Sequence, residues 1–157
     1  MINKFVRIAV LIIPIALLIL LFSQKSNLQK YISKEIKSQV GSETALKMDQ
    51  QIDSLYNYSI NNKNYKLTFL EIGAKGCSAC RKMELVLDDL REEYPMSVKI
   101  VFINILIAEN QEIMKYYGVV SIPTQILLDN TGSEFFRHTG YISTKDISKV
   151  IDSKMVK

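Results

Sequence analysis

The segment EIGAKGCSACRKMELVLDDLREEYP, Glu71 to Pro95, holds both cysteines of the 157-residue chain. They are spaced Cys77-Ser78-Ala79-Cys80, where an extended run gives way to a helical one. Upstream, YKLTFLEIG (Tyr65–Gly73) is apolar and rich in strand formers. Downstream, Met83, Val86, Leu87 and Leu90 mark one face of a helix, and Pro95 stops it. SVKIVFIN (Ser97–Asn104) reads as a second strand, and its apolar density predicts burial on both faces. A strand, a helix and a strand in this order predict two parallel strands joined by a right-handed crossover.

The pattern continues outward from this unit. A short helix is expected around Glu109–Tyr117, ended by Gly118. TQILLD (Thr124–Asp129) and EFFRHTG (Glu134–Gly140), joined through Asp129-Asn130-Thr131-Gly132, predict an antiparallel hairpin. A last helix starts near Thr144 and turns Ile147, Val150 and Ile151 inward. Residues 44–60 form another helical pattern, followed by a turn at Asn61–Asn64. The sum is an α/β sandwich: a mixed sheet of parallel strands with an antiparallel edge, flanked by helices.

The N-terminus has a different composition. From Phe5 to Phe22 only Arg7 interrupts an apolar stretch of 18 residues. As a helix it would span about 27 Å, close to the thickness of a bilayer core. Small residues at a cleavage position are missing from Leu20-Leu21-Phe22-Ser23-Gln24-Lys25, so an uncleaved anchor is favoured over a removed signal peptide. Lysines on both sides of the run leave the positive-inside rule without a vote. The short N-terminal stub favours export of the domain. The expected organisation is an anchor or signal segment over 1–23, a helical tether over 24–43 and the folded domain over 44–157. In the tether, Leu28, Tyr31, Ile32, Ile36 and Val40 recur at helical spacing between lysines. That face would pack on the domain or lie on the membrane surface. The net charge of +4 is spread among mixed signs, which argues for a solvated surface rather than nucleic-acid binding.

Two cysteines and one histidine, His138, do not make the four ligands of a structural zinc site. Haem attachment would need His after the second cysteine, where Arg81 stands. An iron–sulfur cluster lacks ligands too. A redox dithiol needs only these two residues. Cys77 at a helix N-terminus would have its thiolate stabilised by free N–H groups and the helix dipole, with Arg81 adding positive charge. Cys80, one turn in, would be more buried. Cys77 is therefore expected to attack a substrate disulfide and Cys80 to resolve the mixed disulfide.

Gly76-Cys77-Ser78-Ala79-Cys80-Arg81-Lys82-Met83 resembles the active-site segment of the thioredoxin family. Tyr117-Gly118-Val119-Val120-Ser121-Ile122-Pro123-Thr124 is similar to the family's loop before its cis-proline, and Gly140 is a third match in order. The resemblance runs from Thr44 to the C-terminus and implies a thioredoxin-like fold. It implies that Pro123 follows a cis peptide bond facing the cysteines, and that the Ile122 backbone pairs with an extended substrate. It also implies that Glu71 is the family's buried acid, able to take the proton of the resolving thiol. Arg81 matches a basic residue common after the motif. The chain departs from many thioredoxins in having Gly76 rather than Trp before the first cysteine, and Ser78-Ala79 rather than Gly-Pro between the two.

The expectation is a membrane-tethered thiol–disulfide oxidoreductase on the extracytoplasmic, periplasmic side, similar to bacterial envelope thioredoxin-like proteins. It would reduce disulfide-containing envelope proteins, draw electrons from a membrane transporter, act as a monomer and use neither cofactor nor metal. Two rivals remain. One is an oxidant on the same fold that installs disulfides. The other is a Cu(I) metallochaperone binding through the two thiols, either linearly or with a third ligand such as His138.

Overall fold

The computed structural model describes residues 12–14 and 25–156. The apolar run expected as an anchor lies outside the described residues except for 12–14. Among the described residues no helix is long and apolar enough to cross a membrane.

Two helices, α1 (Lys25–Ser38) and α2 (Ser42–Tyr56), precede the sheet. The order then runs β1 (Leu67–Gly73), α3 (Ser78–Glu93), β2 (Val98–Asn104), a 3₁₀ turn at Ala108–Asn110, α4 (Gln111–Tyr116), β3 (Thr124–Leu128), β4 (Glu134–Thr139) and α5 (Thr144–Met155). The four-stranded sheet has the order β2-β1-β3-β4. β1 pairs with β2 in parallel and with β3 antiparallel, and β3 and β4 form the antiparallel hairpin. Both pairings expected from the sequence are present.

The two faces of the sheet follow from the alternation of side chains along the strands. Leu67 and Phe69 of β1 and Leu127 of β3 face α3 and α5, where they meet Met83, Val86, Leu87, Leu90, Ile147 and Ile151. Leu70 and Ile72 of β1 and Ile126 and Leu128 of β3 face α2 and α4, packing on Met48, Ile52, Tyr56 and Ile113. Every residue of β1 and β3 is buried. Truncating a core side chain such as Phe69 to Ala would cost about 3–5 kcal/mol, which makes β1 a rigid base for the loop that follows it.

β2 corrects one expectation. It is an edge strand, and Phe102 is 37% exposed while Val98 and Ile103 are buried. Its apolar run is not covered on both faces because a helix layer overhangs central strands more fully than edges. The doubly buried strands are β1 and β3, which lie inside the sheet.

α1 meets the domain through a polar contact. Ser33 is buried, and its hydroxyl donates to the Gly118 carbonyl at 2.6 Å. Lys37 adds an ion pair with Glu134 at 3.4 Å. Leu28 and Tyr31, by contrast, are exposed.

Candidate active site

β1 and β2 end, β3 begins and β4 ends on the same side of the molecule, because β1 and β2 are parallel and β3 runs against β1 and β4. The cysteines stand there. After β1 the chain turns at Ala74-Lys75-Gly76-Cys77, closed by the Cys77 N–H donating to the Ala74 carbonyl at 3.3 Å. Gly76 sits at φ +92°, a conformation that glycine adopts without a Cβ penalty.

Cys77 is the N-cap of α3. Its sulfur accepts from the Cys80 N–H at 3.3 Å, the role an N-cap oxygen normally takes. Cys77 is half-buried and Cys80 is 4% exposed. Their thiols are driven apart. Hydrogen bonds from the Cys80 thiol and from backbone amides hold the Cys77 thiol below its ordinary value. Burial, and donation of its own S–H to Cys77, push the Cys80 thiol up to about 11. The attacker and resolver expected from the sequence thus have the asymmetry those tasks require. Arg81 is exposed, and its backbone N–H donates to the Cys77 carbonyl at 3.1 Å. The hydrogen bonds that lower the Cys77 thiol come from Cys80 and Ala79 instead.

Glu71 is 1% exposed, at the centre of β1. It shares the α3 face with Phe69 and, two residues on, with Gly73. Gly73 lies directly under the resolving thiol: a Cβ there would be 3.2 Å from Cys80 Sγ. Loss of hydration raises the Glu71 carboxyl to about 8, partly countered by a hydrogen bond from Gln125. That bond runs from Gln125 Nε2 to Glu71 Oε2 at 3.1 Å, between register partners on β1 and β3. Sequence reasoning missed Gln125. Its one signal was a lone amide inside the apolar strand Thr124-Gln125-Ile126-Leu127-Leu128.

The Ile122–Pro123 peptide bond is cis. Ile72 pairs with Thr124, which sets Pro123 at the level of Gly73, beside the cysteine loop. The Pro123 carbonyl accepts from the Gly140 N–H at 2.8 Å, so the three segments singled out in the sequence meet at one end of the sheet. Leu106, Ile107, Val120 and Tyr141, on the loops at this end, leave large apolar surfaces exposed. His138 lies on β4 with Nε2 3.2 Å from the Tyr141 carbonyl. Among the described residues no three His, Cys, Asp or Glu side chains converge as metal ligands, so His138 does not complete a ligand set with the two thiols.

Comparison with known proteins agrees with this geometry. The thioredoxin-like domain family matches residues 53–154. The thioredoxin of Pyropia yezoensis is 32% identical over 82 residues, covering 52% of this chain and 74% of that protein. The thioredoxin of Listeria monocytogenes is 31% identical over 86 residues, 55% of this chain and 81% of its own length. Among solved structures, a thioredoxin from Halobacterium salinarum superposes with a TM-score of 0.55 at 21% identity, covering 67% of this chain and 83% of that one, a likeness of fold alone. With a dithiol at a helix N-terminus, a cis-proline beside it and a family match across the sheet and its flanking helices, the chain belongs to the thioredoxin family and is a thiol–disulfide oxidoreductase.

Proposed function

We propose that the protein works as a reductant of disulfides in exported proteins, held at the membrane by its N-terminal segment. Cys77 thiolate attacks one sulfur of the substrate disulfide and the other sulfur leaves as a thiolate. Cys80 then gives its proton to the Glu71 carboxylate and attacks the Cys77 sulfur. The second substrate thiolate leaves, Cys77 and Cys80 end as a disulfide, and two electrons have passed to the substrate.

One observation carries the direction. The largest effects lowering the Cys77 thiol are hydrogen bonds from Cys80 and Ala79, and the nearby Glu71 raises it. A strongly oxidising pair is one whose reduced form is heavily stabilised. Modest stabilisation favours the reducing role. The apolar run from Phe5 to Phe22 supports the tether and export, and a tether raises the effective concentration of the domain near a membrane electron donor. The exposed apolar rim of Leu106, Ile107, Val120 and Tyr141 supports a protein substrate that docks in extended form along Ile122–Pro123.

The deciding measurement is the reduction potential of the Cys77–Cys80 couple. A value near about −270 mV is expected, and a value near about −120 mV would make the protein an oxidant.

A further inference from the structure

Phe102, Glu71, Gln125 and His138 form one row across the sheet, each the register partner of the next. All four therefore project onto the face that carries α3 and α5. Glu71 and Gln125 occupy the two central strands and are 1% and 0% exposed. Gln125 is the group whose side chain hydrogen-bonds Glu71 among the described residues, and the bond reaches only one carboxyl oxygen. Glu71 Oε1 and Gln125 Oε1 are buried with no partner.

Among the described residues, burial and the Gln125 hydrogen bond are what act on the Glu71 carboxyl, and no cation is among them. α3 contributes the two thiols, Cys77 and Cys80. α5 contributes Ile147 and Ile151 to the core on this face. β2 places Phe102 opposite it, and β4 places His138 one strand beyond Gln125. Arg137 pairs with Ile126 and so belongs to the other face. An amide donor is then the one group that favours the ionised carboxylate by direct contact.

We propose that Gln125 is a positioning residue for the redox reaction: it pins the Glu71 carboxyl through Oε2, leaves Oε1 to carry the proton, and sets the pH at which Glu71 can accept one. The last clause rests on the reading of Glu71 as the proton acceptor for Cys80. Because the amide hydrogen bond favours the charged form, Gln125 draws down the value that burial raises. A carboxyl left wholly unassisted would stay protonated further into the alkaline range, and fewer molecules would be ready to receive the Cys80 proton at neutral pH. Pinning one oxygen also removes the rotational freedom that would let the proton settle on either.

The test uses the full-length protein with Gln125→Met and Gln125→Leu, two apolar replacements of similar size. Both delete the donor together with the unpartnered Gln125 oxygen but leave Glu71 Oε2 without its partner, so both should fold and melt somewhat lower than the parent. In protein carrying side-chain-labelled glutamate, the Glu71 carboxyl titration read by NMR should move up by about one pH unit, the low end for a hydrogen bond to a charged group. The rising limb of insulin reduction against pH should move with it, while turnover well above that limb is retained. In a Glu71→Gln background the Gln125 replacements should leave the pH profile unchanged. An unmoved Glu71 titration in both variants overturns the proposal, as does a further shift of the profile in the Glu71→Gln background. A titration that moves without any change in the turnover profile upholds the role of Gln125 and instead removes Glu71 as the base.

Discussion

The backbone N–H of Cys80 points at the sulfur of Cys77 from 3.3 Å, so the attacking residue caps the helix by accepting from the resolving one. The Cys80 side chain is also the largest influence lowering the Cys77 thiol. A single residue thus lowers its partner's thiol and raises its own.

The first expectation concerns which thiol reacts. Cys80→Ser should accumulate mixed disulfides with substrate proteins through Cys77, because nothing remains to release them. Non-reducing electrophoresis of cells carrying the variant reads this directly. Adducts trapped by Cys77→Ser instead would reverse the two roles.

The second follows the thiol donor. Cys77 alkylation in the wild type should follow a titration below the ordinary thiol range. Replacing Cys80 by Ala deletes the S–H donor but keeps the backbone N–H. The titration midpoint should therefore rise without reaching that of a free cysteine. An unchanged midpoint would mean that the amides alone hold the thiolate.

A third expectation is the pH dependence of stability from Glu71. Its carboxyl sits at about 8 in the folded chain against 4.5 as the ordinary value, because burial disfavours the charge. Between these values the folded protein holds a proton that the unfolded chain has released. Stability from this group is complete below about pH 4.5, falls as pH rises, and is fully lost above about pH 8. The span corresponds to about 5 kcal/mol at most. Glu71→Gln removes that loss. Denaturant curves of the two proteins should agree near pH 4, and the variant should be the more stable by pH 8, although its turnover is slower. Parallel curves at every pH would show that Glu71 is not held neutral.

These expectations draw on parts of the site that the sequence displayed unequally. The cysteine spacing, the helix face from Met83 to Leu90 and the Ile122-Pro123-Thr124 stretch were legible because each is a local pattern with a local cause. Glu71 was legible as a carboxylate out of place in an apolar strand. Gln125 was not, because its meaning lies in the register between β1 and β3, and pairing across 54 residues leaves no mark on either segment. The exposure of Phe102 was hidden for the same reason. An edge strand and a central strand can share one composition, and only strand order separates them. The N-terminal helices were visible as periodic segments, but the contact that docks α1 is a serine, which no apolar periodicity announces.

A fourth expectation tests the space beneath Cys80. A Cβ at Gly73 would lie 3.1 Å from Phe102 Cε2 and 3.2 Å from Cys80 Sγ. Gly73→Ala should therefore push the resolving thiol off its position while leaving Cys77 at the helix N-terminus. Turnover should fall about tenfold, with Cys77 alkylation changed much less. Equal losses in both rates would place the damage in the loop as a whole. Full retention of turnover would show that Phe102, at the sheet edge, moves aside.

The last expectation concerns α1 and the loop before the cis-proline. Ser33 donates its hydroxyl to the Gly118 carbonyl at 2.6 Å, joining residues 85 apart in sequence. Gly118 has φ +59°, and a Cβ there would overlap the Ser33 carbonyl. That backbone offers no relief by local adjustment, since an L-residue is strained at this φ in any case. Gly118→Ala should lift α1 away, and Ser33→Ala should leave it seated but without this buried hydrogen bond. The buried Gly118 carbonyl then lacks a partner, at a cost of about 1–3 kcal/mol. Hydrogen exchange read by mass spectrometry should show faster exchange over residues 25–38 in both variants, more in Gly118→Ala. Because Gly118 opens the segment that leads through Val119 and Ser121 to Pro123, residues 119–123 should also exchange faster, and the rate of mixed-disulfide formation should fall in Gly118→Ala. Loss of α1 protection with residues 119–123 and the reaction rate unchanged would make α1 a passenger on the domain. Unchanged protection of α1 in both variants would mean that the Lys37–Glu134 pair and the surrounding packing hold it without Ser33.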